Sequence, residues 1–256
     1  MNGAVDLLVL SPHLDDAVLS CGARLAAAAA SGAAARVVTV FAGDEPAAPA
    51  GRLATELRER WGLPPGGVLA ARRQEDLEAC RRLAVEVEQW PLREALYRCD
   101  AAGEPLYPTL AALFGEIAAA DQPAAAEVAA RIAALPPARL LLAPLAVGGH
   151  VDYRVVRRAA EASGREIAYY EEFPYSEWKW FAVERALGGR RGWEPEVLRL
   201  TPELAGRRLE AIRAYASQVP ALFRTEARLA KQLRRAARRA GGERIWRRSR
   251  PGGPAR

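Results

Sequence analysis

An α/β fold built on an open, mostly parallel sheet is what this sequence predicts, and three observations predict it. Residues 7–10 (LLVL) and 139–145 (RLLLAPL, apolar after its arginine) are short apolar runs, the pattern of strands buried on both faces. Between the first of these and the β-branched run 36–41 (RVVTVF) lies an Ala/Leu-rich segment, 16–30, of high helical propensity. Strand, helix and strand in that order make a βαβ unit, whose strands run parallel. A length of 256 residues, half of them apolar, fits one large domain or a domain with an appendage.

The elements follow in order. The first strand breaks at Ser11-Pro12 and delivers His13, Asp15 and Asp16 at its carboxyl end, where an open α/β sheet binds ligands. One imidazole and two carboxylates within four residues can hold a divalent metal and leave one carboxylate as a base. The same residues also read as a polar loop in which Asp15 or Asp16 caps the next helix. Ser31-Gly32 ends that helix. Residues 43–51 form a Pro/Ala loop at the end of the second strand. Helices are expected over 54–61 and 68–84, parted by the breaker LPPGG at 63–67. A third strand over 85–90, an irregular stretch over 91–104 and helices over 106–115 and 124–135 come next.

The strand at 139–145 then stops at Gly148-Gly149, and His150 and Asp152 open a helix over 151–163. The pattern of the first strand is thereby repeated. A strand over 167–170, an aromatic-rich stretch over 178–186, an edge strand over 197–200 and a helix over 202–216 complete the main body.

From residue 224 onward there are 12 basic and 2 acidic residues, a net charge of +10, whereas residues 1–223 carry 25 basic and 29 acidic. The high isoelectric point thus describes a basic helical C-terminal extension, 224–256, ending in a disordered Arg/Pro/Gly tail. It reads as a solvated or partner-facing helix or as an anion-binding surface. Aromatic residues do not interleave with its helical charges, which argues against nucleic acid. Cys21, Cys80 and Cys99 are odd in number and lack CxxC spacing, as expected of reduced thiols in a cytoplasm. The N-terminus lacks the basic region of a signal peptide, and no apolar run approaches the ~20 residues of a membrane span.

Both of the histidines in this sequence follow a buried strand and stand beside an acid. That coincidence strengthens the metal reading. PHLDD (12–16) resembles the first motif of the PIG-L/LmbE-like N-deacetylases, (A/P)HxDD, and GGHVDY (148–153) resembles their second, GHxDH. ARRQED (71–76), EALYR (94–98), YYEEFPY (169–175), AYASQ (214–218) and ERIWR (243–247) resemble further blocks of one bacterial branch.

The resemblance implies a Rossmann-like three-layer fold with a deacetylase domain over 1–223. It also implies a mononuclear metal, usually Zn2+ or another divalent ion, and hydrolysis of an N-acetylated amino-sugar derivative, a small-molecule substrate. Carried over, His13 and Asp16 are metal ligands and Asp15 is the general base. His150 stabilises the oxyanion and protonates the leaving amine, with Asp152 fixing its ring. The third ligand position is the last His of the family motif, and here it is Tyr153. A phenol with a reference pKa of ~10 fits this place less well than imidazole. Several outcomes stand open: Tyr153 ligates, His150 turns to ligate, or Glu171, Glu172 or Asp44 compensates. The last is a metal-free relative that binds a sugar or a partner without catalysis.

For substrate binding, Arg72 and Arg73 either pair with Glu75 and Asp76 on a wet helix face or form a fork towards an anionic sugar or phosphate. Tyr97 and Arg98 either line the cleft or are a core tyrosine and a surface arginine. Trp178, Trp180 and Phe181 stack on sugar faces or pack in a core.

Overall fold

The structure, a computed structural model, describes residues 4–46, 51–61, 67–178 and 181–249. Part of the expected Pro/Ala loop, most of the 63–67 break, Trp180 and the Arg/Pro/Gly tail lie outside the described residues.

Strand β1 (Val5–Ser11) leads through α1 (Asp16–Ala30) to β2 (Ala35–Thr39), and α2 (Arg52–Trp61) and α3 (Val68–Leu83) lead to β3 (Glu86–Gln89). A 3-10 turn at Ala95–Tyr97, the single turn α4 (Leu110–Leu113) and α5 (Gln122–Ala134) precede β4 (Ala138–Pro144). Helix α6 (Val151–Ala162) connects β4 to β5 (Ala168–Tyr170), and α7 (Tyr175–Trp178) and α8 (Ala182–Leu187) lead to β6 (Trp193–Leu198). Then α9 (Pro202–Ile212), α10 (Gln218–Phe223) and α11 (Glu226–Ala240) end at β7 (Glu243–Arg248).

Among the described residues these strands form one sheet in the order β3-β2-β1-β4-β5-β7-β6. The first five are parallel, and β7 runs antiparallel to both of its neighbours. Alternation along β1 shows why its apolar run is continuous. Leu7 and Val9 join a core with α1, α3 and α9, and Leu8 and Leu10 join a second core with α5 and α6 on the other face. The result is three layers, each buried leucine contributing roughly 1.5–3 kcal/mol to the core. Connectivity reverses between β1 and β4, which neighbour each other, so both histidine motifs open onto the crevice at that switch point.

Two expectations needed correction, and one strand carried none. The helix expected over 106–115 is a single turn, because Pro108 holds the chain extended and Thr109 starts the turn by accepting the N–H of Ala112. The strand expected at 197–200 lies earlier, at Trp193–Leu198, and sits at the sheet edge, where Pro195 is tolerated. Residues 243–248, given no element class from sequence, are a strand between β5 and β6. The basic stretch also joins the core through Leu229 and Leu233 of α11, so the change of charge at 224 is not a break in packing.

Candidate active site

Each histidine is set by local backbone chemistry. After β1, Ser11 donates its hydroxyl to the carbonyl of His13 (2.7 Å), and Asp16 accepts the backbone N–H of His13 (2.8 Å). After β4, a β-carbon on Gly148 would lie 2.8 Å from the Tyr175 ring, and Gly149 has φ +78°, so the glycine pair is needed where it stands. The buried carboxylate of Glu172 accepts the N–H groups of Ala146 and Val147 and fixes the turn from below. His150 follows as the residue capping α6.

The two rings lie 4.9 Å apart, edge to face. His13 stands between carboxylates, with Nε2 2.9 Å from Asp152 and Nδ1 3.3 Å from Asp16. Burial works to lower its pKa, but Asp152 and Asp16 raise it well above 6.5. Asp16 accepts the hydroxyl of Tyr153 at 2.7 Å on its other oxygen. Burial and the charge of Asp16 push the Tyr153 phenol well above 10, so it stays a neutral donor. The Nδ1 of His150 accepts the backbone N–H of Asp152 (3.1 Å), and burial lowers the pKa of this ring to about 3. Asp15 is 6% exposed, and burial and the neighbouring Asp16 push its carboxyl up to about 7.

The placement of Asp152 departs from expectation. Its carboxylate was expected to fix the His150 ring, yet the two are 3.9 Å apart. It instead receives His13 Nε2, the backbone N–H of Ala95 at 2.9 Å, and Arg98 at 2.7 Å. Burial would raise its pKa, but Arg98 and His13 hold it well below the usual carboxylate range.

The donor set fits a divalent metal. Nitrogen or oxygen atoms of His13, His150 and Asp152 lie within 4.8 Å of one another. Of these, Asp152 is fully buried with its oxygens already committed to His13, Ala95 and Arg98. A carboxylate so committed orients the His13 ring. With Nε2 held there, the Nδ1 edge of His13 faces Asp16 and, through it, Tyr153.

A cleft of about 210 Å3 opens here, lined by His13, Asp15, Asp16, His150 and Tyr153. Arg72 also lines it, donating to Glu94 (2.9 Å) rather than pairing on a wet face. Arg73 turns away to Asp44 and the carbonyl of Ala42. Tyr97 and Arg98 do not line the cleft. Tyr97 is packed in a core with Leu14 and Val151, and Arg98 reaches Asp152 and Asp121 from behind. Trp178 and Phe181 are 52% and 38% exposed, so neither is a core aromatic.

Sequence reasoning missed Glu94, Phe114, Tyr175 and Gln218, which also line the cleft. Three of them sit inside the blocks EALYR, YYEEFPY and AYASQ, whose other residues hold the frame. Tyr215 donates to Asp76 at 2.9 Å, and Ser217 donates its backbone N–H to Glu75 at 2.8 Å. Phe114 carried no sequence signal.

Residues 8–163 match the PIG-L family, described as GlcNAc-PI de-N-acetylase. The chain belongs to the PIG-L family. Over 241 residues it is 31% identical to 2'-N-acetylparomamine deacetylase of Niallia circulans, covering 86% of this chain and 83% of that one. The protein of the same name from Streptomyces fradiae is 32% identical over 254 residues, covering 93% and 80%. Among solved structures, the zinc-inhibited form of teicoplanin deacetylase superposes with a TM-score of 0.80 at 30% identity, covering 97% of this chain and 100% of that one. The A40926 pseudoaglycone deacetylase gives 0.75 at 28%, covering 98% and 99%. These PIG-L relatives and the assembled donor set do not favour a metal-free binding protein. Among the described residues, no helix is long and apolar enough to cross a membrane.

Proposed function

We propose that this PIG-L protein is a metal-dependent hydrolase that removes an acetyl group from an N-acetylated amino-sugar derivative. The observation that carries the reading is the convergence of HLDD and GGHVDY at two neighbouring strand ends, with Asp15 buried beside both histidines. His13 and Asp16 would hold the metal, with Tyr153 at the third position beside Asp16, and Asp152 keeps the His13 ring turned. When bound, a divalent ion such as zinc supplies Lewis acidity towards the acetyl carbonyl and acidifies water.

The chain's own groups do the rest. Asp15 takes the proton of the attacking water. With Nδ1 of His150 occupied as an acceptor, the ring proton sits on Nε2, which offers a hydrogen bond to the carbonyl oxygen as charge develops there. Protonating His150 would cost it that backbone bond. The proton for the departing amine therefore returns from Asp15, which is a change from the role expected of His150.

Relatives named for acetylparomamine and teicoplanin support a substrate in which the amino sugar is part of a larger molecule. The free thiols Cys21, Cys80 and Cys99 support a reducing, cytoplasmic setting. Acetate release from a panel of N-acetyl amino sugars by the zinc-loaded protein tests the reading, with Asp15→Asn as the control. Release is expected from at least one sugar and not from the variant. Equal rates with both proteins would overturn it.

A further inference from the structure

Next to the catalytic cleft lies a second recess of about 500 Å3. Phe114 lines both, its ring 5.2 Å from that of His150, and the Gly148-Gly149 turn forms part of the second wall. The ionisable side chains around this recess are Arg154, Arg157, Arg158, Arg185 and Arg248 against a single carboxylate, Glu161. Some of that charge is spent on the fold. Arg157 pairs with Glu161 and donates to the carbonyls of Leu145 and Ala186, and Arg154 holds Glu116 at 2.9 Å.

Arg185 and Arg248 are different. Both are exposed, each guanidinium rests on an aromatic face, Phe181 at 4.8 Å and Trp193 at 4.0 Å, and neither has a carboxylate partner among the described residues. Arg158 is 3.9 Å from Glu116. Guanidinium groups braced on rings and left without counter-charges are set to receive carboxylate or phosphate oxygens.

We infer that this recess binds an anionic group of the substrate, a carboxylate or a phosphate, while the acetylated nitrogen enters the adjoining cleft. The inference rests on the deacetylase reading and narrows it. The substrate is an acidic conjugate of an N-acetyl amino sugar, and an amine-rich sugar is disfavoured by the same charges.

The test compares acetate release by the zinc-loaded full chain from N-acetylglucosamine, N-acetylglucosamine 1-phosphate, N-acetylmuramic acid and 2'-N-acetylparomamine. At least one acidic sugar is expected to exceed neutral N-acetylglucosamine in kcat/KM by about tenfold, the scale of charge-assisted pairing. Which acidic sugar does so tells phosphate from carboxylate. Arg185→Glu with Arg248→Glu is expected to remove that preference, and Lys231→Glu, on the exposed stripe of α11, is expected to keep it. Equal kcat/KM for neutral and acidic sugars, or a preference that survives the double variant, overturns the inference. Calorimetric titration with inorganic phosphate separates this failure from failure of the reaction. If no sugar is hydrolysed but phosphate binding is lost in the double variant, the recess stands and the reaction falls. Equal phosphate binding by both proteins, with no acidic sugar preferred, sinks the recess.

Discussion

The two histidines stand 4.9 Å apart at the ends of adjacent strands, yet their surroundings are opposite. At the end of β1, His13 is gripped by a carboxylate on each ring nitrogen, and these acids raise its pKa against burial. At the end of β4, His150 has a backbone N–H on Nδ1 and the Phe114 ring perpendicular to its own, and burial lowers its pKa to about 3. The acid two residues after His150 does not serve it but crosses to His13. One strand end therefore concentrates negative charge for a cation, and the other keeps a neutral imidazole as a hydrogen-bond donor.

The largest expected effect is at the first end. Asp15→Asn should lower kcat by about 10²–10⁴ with zinc content and circular dichroism unchanged, since it removes the base alone. Near-normal kcat would place the base elsewhere. His150→Ala should cost about 10²–10³ in kcat, the scale of one lost oxyanion donor, and leave the metal in place. Metal analysis showing zinc lost from His150→Ala would erase the contrast between the two ends.

A smaller effect sharpens it. In Tyr153→His the ordinary His-Asp-His set is restored, and zinc is expected to bind about tenfold tighter or more, as read by competition with a chelator. Equal, stoichiometric zinc under chelator in both proteins would mean that the tyrosine is already a full ligand.

The smallest concerns the turn that carries His150. Burial pushes Glu172 up to about 8 against the N–H groups of Val147 and Ala146, from 4.5 in a free side chain. Between those values the folded chain keeps a proton that the unfolded chain releases, so stability falls as pH rises through the window. Glu172→Gln abolishes this titration and should flatten the decline of Tm between pH 5 and 8. An unchanged slope would assign the decline to other groups.

Much of this was legible in the sequence, for physical reasons. Residues 7–10 and 141–145 are apolar and buried and advertise themselves as strands, and HLDD and GGHVDY follow within a few residues. Contacts between residues far apart along the chain were not legible. Nothing local in VDY says that Asp152 will meet His13 across 139 residues, or that Arg98 will brace it from behind. Nor does EALYR show which of its side chains faces the cleft, because in an irregular stretch with one 3-10 turn no helical or strand period selects a face. The last strand escaped notice because ERIWRR is short and charged. Its Ile245 and Trp246 belong to opposite cores, which only its seat in the sheet explains.

In the proposed site Asp16, not Asp152, holds the metal with His13. Zinc per chain, measured side by side after equilibration with excess zinc and gel filtration for wild type, Asp16→Asn and Asp152→Asn, tests it most directly. Zinc should be lost from Asp16→Asn and retained by Asp152→Asn with about 10- to 100-fold weaker affinity, the effect of losing an orienting carboxylate. Zinc retained by Asp16→Asn and lost from Asp152→Asn would overturn this and assign the metal to His13, His150 and Asp152.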